Sequence, residues 1–83
     1  MTPDTFQTIV QAMARDDRIF GNFSSTHEAM GVCMEEWDEF RDAVRLNDKD
    51  EVQNECLDLA VALLRLYEQL DESAARRKRS GME

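Results

Sequence analysis

"RLNDKDEV", residues 45–52, is the stretch whose reading decides the fold. Leu46-Asn47 halts one helical pattern. Asp48, with Glu51 three residues on, begins another in the manner of a capping box. A turn this short leaves two consecutive helices no choice but to lie antiparallel as neighbours.

Working outward, the upstream helix starts at Ser25, where Glu28 again stands three residues on. It carries Met30, Cys33, Met34, Trp37, Phe40 and Val44 along one face. The downstream helix runs through Val52, Leu59, Leu63, Leu66 and Leu70. A further helix opens the chain, with Thr2 as cap and Pro3 at its first position. It continues through Phe6, Ile9, Val10 and Met13, and Gly21-Asn22 ends it. No segment alternates with period two, so the expected class is all-α, three helices per chain. Residues 1–72 form one domain, and 73–83, ending in "RRKRSGME", are expected to be a basic, disordered tail.

The third helix is apolar on two sides. At about 100° per residue, Val52, Leu63 and Leu70 share one side, and Leu57, Ala60 and Leu64 lie well over 90° away. That surplus predicts packing against further copies: a homodimer or homotetramer of four-helix-bundle type built on the core hairpin. Eighty-three residues bury a thin core alone, which points the same way.

A net charge of −8 excludes a nucleic-acid polymer as partner, since phosphate chains need a basic face. No apolar run is long enough to span a bilayer, and no secretory leader is visible, so a cytoplasmic location is expected. Cys33 and Cys56 lack CxxC spacing and read as reduced core thiols.

The chemistry concentrates in "MEEWDEF" (34–40) and "NECLDL" (54–59). Glu35, Asp38 and Asp42 share a water-facing strip with Arg45. Glu36 and Glu39 fall among Ala29, Val32, Ala43 and Leu46, where an unpaired carboxylate is costly. On the third helix Glu55 and Asp58 are likewise three apart. Residues 36 and 39 stand about two to three turns before the connecting turn and 55 and 58 about two turns after it, so the pairs should meet at similar height. Four converging oxygen ligands suit Mg²⁺, with Mn²⁺ able to substitute. By spacing alone, an acidic bundle with solvated edges fits the same residues.

Glu35-Glu36-x-x-Glu39 followed at helix-turn-helix distance by Glu55-x-x-Asp58 resembles the signature of the MazG-like, all-α nucleoside triphosphate pyrophosphohydrolases. The likeness extends through "HEAMGVCMEEWDEFRDAV" (27–44) and "EVQNECLDLAVALLRL" (51–66), about half the chain. It implies Mg²⁺-dependent cleavage of a nucleoside triphosphate, a deoxynucleotide or a non-standard one, to the monophosphate and pyrophosphate, in homo-oligomers. It also implies that Glu36, Glu39, Glu55 and Asp58 are metal ligands and that Glu35 positions or deprotonates the attacking water. The family's downstream basic residues are hard to place here; Arg65 is the candidate substrate-binding cation. Phe20, Phe23 and His27 are aromatic candidates for stacking on a base, whereas Trp37, on the main apolar face, reads as core. The contrasting reading is a non-catalytic helical oligomer serving as an interaction or regulatory module.

Overall fold

Helix ends in this chain are written by short polar side chains. A computed structural model describes the backbone of residues 1–81 and the side chains of residues 1–76. Helix α1 spans Pro3–Phe20; the Thr2 hydroxyl accepts from the Thr5 amide at 3.1 Å, and Pro3 needs no partner for a missing N–H. It stops at Gly21, whose φ of +69° is the left-handed region only glycine enters freely. Helix α2 spans Thr26–Arg45, capped by Ser25 Oγ accepting from the Glu28 amide. The Glu28 carboxylate reaches back one residue further than a standard capping box, accepting from both the Ser24 amide and hydroxyl. Helix α3 spans Lys49–Gly81.

The turn between α2 and α3 is more economical than its sequence suggests. Asn47 takes a φ of +55°, donates to the Val44 carbonyl, and lets Asp48 donate to Ala43. This is a Schellman closure with asparagine in place of the usual glycine. Asp48 is at once the last residue of that closure and the N-cap of α3, its Oδ1 accepting from the Glu51 amide. The hairpin expected from "RLNDKDEV" is therefore present, and all regular structure among the described residues is helical.

α2 packs along α3, and α1 packs on α3 alone without approaching α2. The seam is made of small residues: Ala29 and Ala43 on α2, Ala62 on α3, with Val61 and Ala12 buried where α1 joins. Small side chains let the helix axes come close, so α2 turns its alanine side to α3. This corrects three expectations. Trp37, read as core, is half exposed, as are Met30, Met34 and Val44. Cys33 is only half-buried and Cys56 is exposed, so neither is a core thiol. On α3, the second apolar side is not left bare around Leu57 and Ala60, where Thr5, Thr8 and Ile9 of α1 flank a groove.

α3 also runs through Gly81, well into the stretch expected to be disordered from residue 73. Alanine, arginine and lysine are strong helix formers, and cations near a helix C-terminus are favoured by its dipole. Residues 82 and 83 lie outside the described residues. None of the described helices is long and apolar enough to cross a membrane.

Candidate functional site

Glu36 sits in the α2–α3 seam, seven residues from Ala29 and from Ala43, so the same packing that buries the alanines half-buries its carboxyl. Glu55 stands at the matching seam position of α3, seven before Ala62. Glu39, one turn after Glu36, leans over the same spot. Carboxylate oxygens of Glu36, Glu39 and Glu55 all lie within 4.8 Å of one another. Three acids this close repel unless a proton or a cation stands among them.

No basic group answers them. Among the described residues, Arg15 pairs with Asp16, Arg41 with Asp38 and Asp42, and Arg65 with Asp17. Glu36 Oε2 and Glu55 Oε2 are buried with no hydrogen-bond donor. The electrostatics follow. Burial, then the charges of Glu39, Asp58 and Glu55, pushes the Glu36 carboxyl from an ordinary 4.5 up to about 7. Glu55 is raised by burial and by Glu39 and Asp58. Asp58 is raised by burial and Asp16, with Arg15 opposing. Hard oxygen donors, two of them buried and unpartnered, are a chemically fitting set for a divalent cation of the Mg²⁺ class.

The four acids do not share one compartment. Glu35, Glu36, Asp58 and Arg65 line a cleft of about 540 Å³ closed on its far side by α1. Glu39 and Glu55 face a smaller one of about 250 Å³ beside the turn. Glu36 thus stands at the junction. Asp58 joins the group through the larger cleft, not through the tight triad.

Arg65 is 4% exposed. Its Nε donates to Asp17 Oδ1 at 2.8 Å, its Nη2 donates to the Gly21 carbonyl at 2.6 Å, and its guanidinium lies 5.0 Å from the Phe23 ring centre. Two of its nitrogens are therefore committed to holding the end of α1 and the following loop. Phe23 and Phe20 line the cleft, and His27 does not. Sequence reasoning missed Arg15, Asp16 and Asn22, which line it from α1 and its C-terminal loop. They carry no motif, and what brings them to the site is the Arg65–Asp17 pair, 48 residues apart in the chain. No family model, curated protein or solved structure matches the chain.

Proposed function

We propose that this protein is a MazG-like, Mg²⁺-dependent nucleoside triphosphate pyrophosphohydrolase, converting a (d)NTP and water to the monophosphate and pyrophosphate and so removing excess or non-standard nucleotides. The observation that supports it is the meeting of Glu36, Glu39 and Glu55, two of them with buried oxygens that lack a donor. A bundle that merely tolerates acids would turn them to water.

In this reading Glu36, Glu39, Glu55 and Asp58 hold Mg²⁺ or Mn²⁺. When bound, the ion supplies charge neutralisation and orientation of the phosphates. Glu35, on the wall of the larger cleft, orients the attacking water and accepts its proton. Arg65 keeps the cleft's α1 wall in place, and Arg15, half exposed on that wall, offers a guanidinium to the phosphates. The enzyme acts in the cytoplasm as a homo-oligomer.

The second reading, a non-catalytic helical oligomer acting as an interaction module, draws on the exposed apolar side of α2. The two part on one experiment: pyrophosphate release from a panel of standard and modified nucleoside triphosphates, with Mg²⁺ and with EDTA. Metal-dependent release from any of them is expected. Silence across the panel, with no Mg²⁺ effect on the melting temperature, would leave the module.

A further inference from the structure

At the end of the hairpin away from the turn, the start of α2 and the stretch of α3 from Leu66 to Arg76 enclose a shallow cavity of about 290 Å³. The larger cleft, the turn-side cavity and the α1–α3 groove each have at least one carboxylate on their walls. No acidic residue lines this one. In a chain with 18 acids against 10 Lys and Arg, an acid-free wall is the exception. The wall is made of donors instead. Gln69 stands seven residues beyond Ala62 on the α3 seam, and its Oε1 accepts from the Phe23 amide at 2.9 Å. That bond fixes the side chain. Its Nε2 is buried and finds no acceptor. A buried N–H without a partner is costly, and what it lacks is an oxygen. Seven residues further along α3, Arg76 adds a guanidinium. From the opposite wall α2 presents its first turn, where Ser25 and Thr26 carry hydroxyls and the helix dipole is positive. The acid of that turn, Glu28, lines the larger cleft and not this cavity.

We propose that this cavity is a second ligand site, one that takes a phosphate group without a metal, with Gln69 Nε2 and Arg76 as its contacts. The orphaned amide belongs to α3 and owes nothing to the end of α2, so two separate features call for the same anion. The acidic triad cannot serve such a ligand alone, because its carboxylates repel an anion unless a cation intervenes. The neutral and positive wall here needs none. The site also touches the larger cleft, since Asn22 and Phe23 line both. An anion on Nε2 fixes the side chain whose Oε1 holds Phe23, so filling the small cavity stiffens the loop that lines the large one. The inference does not depend on the hydrolase reading.

The test is calorimetric titration of the full chain in EDTA, at constant ionic strength, with inorganic phosphate and separately with adenosine monophosphate. Saturable binding is expected. Tighter binding of phosphate identifies the free anion as the ligand, and tighter binding of the monophosphate identifies a nucleotide; either supports the site. Gln69→Glu keeps an oxygen for the Phe23 amide but sets a carboxylate in the cavity, and should weaken binding roughly tenfold or more. Arg76→Gln should weaken it about fivefold or more. Arg45→Gln, which removes one charge at the turn end of α2, should leave it unchanged. No saturable binding by either probe overturns the proposal. So do equal losses in all three variants, the mark of diffuse attraction to net charge. Should Gln69→Glu not fold, Arg76→Gln against Arg45→Gln decides.

Discussion

Arg65 and Asp17 form the one ion pair among the described residues that joins two different helices, a 2.8 Å contact between α3 and α1. With α1 packed on α3 and not on α2, this pair and the Arg65 bond to the Gly21 carbonyl fix where the wall of the larger cleft stands. Asp17→Ala leaves a buried guanidinium with half its partners. The expected loss is about 1–2 kcal/mol, below that for a fully buried pair because Asp17 itself is partly solvated. Urea unfolding measures it, and an unchanged midpoint would mean the pair is decorative.

Removing metal should make stability fall with pH. The Glu36 carboxyl is raised from 4.5 to about 7, so the fold binds a proton that the unfolded chain releases. The favourable state is fully present below about pH 4.5 and is lost as pH climbs through 7. Glu55 and Asp58 shift in the same direction. In EDTA, going from pH 5 to pH 8 should cost on the order of 2 kcal/mol, or roughly 10 °C in Tm. Adding Mg²⁺ at pH 8 should restore most of it. A flat Tm across that range in EDTA would contradict the electrostatic account of the triad.

Glu39→Gln removes one of three mutually repelling charges. Metal-free stability should hold or rise slightly, while the Mg²⁺-induced rise in Tm shrinks and pyrophosphate release falls by at least 100-fold. Near-normal turnover would remove Glu39 from the ligand set.

Arg15→Ala tests the α1 wall. Its half-exposed guanidinium hydrogen-bonds only the adjacent, partly buried Asp16, so the fold should lose less than about 0.5 kcal/mol. KM for the triphosphate should rise about tenfold with little change in kcat. Arg15→Lys should recover part of the loss, whereas equal KM for all three proteins would place substrate elsewhere.

Asn47 offers a test of the hairpin itself. Its left-handed backbone tolerates asparagine and favours glycine, so Asn47→Gly should be neutral or stabilising. Asn47→Val should cost about 1–2 kcal/mol in chemical denaturation.

The turn and the caps were legible because each depends on residues within four positions of one another, and the facing of Glu36 and Glu39 with Glu55 follows from the shortness of that turn. Asp48 and Glu51, Ser25 and Glu28, and Thr2 with Pro3 act locally, and the structure places a helix start at each. Glu36 was separable from Glu35 because the 100° step puts it among alanines, and alanines proved to be the seam. What failed was the choice of the bulkier face as the inner one. Trp37 and Met34 dominate any hydrophobic count for α2, yet close helix approach selects Ala29 and Ala43. The contribution of α1 to the cleft was invisible for a different reason. It hangs on Asp17 meeting Arg65 across most of the chain, and nothing local in either residue's neighbourhood announces the other.

α3 is a ruler as well as a wall. At about 1.5 Å of rise per residue, the step from Asp58 to Arg76 along one unbroken helix is roughly 27 Å. A flexible tail could fold back over that gap, but a rod cannot. Arg76 instead lines a shallow cavity with Ser24, Ser25 and Thr26 at the start of α2, at the far end of the hairpin from the turn. Arg76 is thus kept a fixed distance from Asp58. Within a single subunit, Arg76 cannot neutralise the carboxylates or compete with a cation for them.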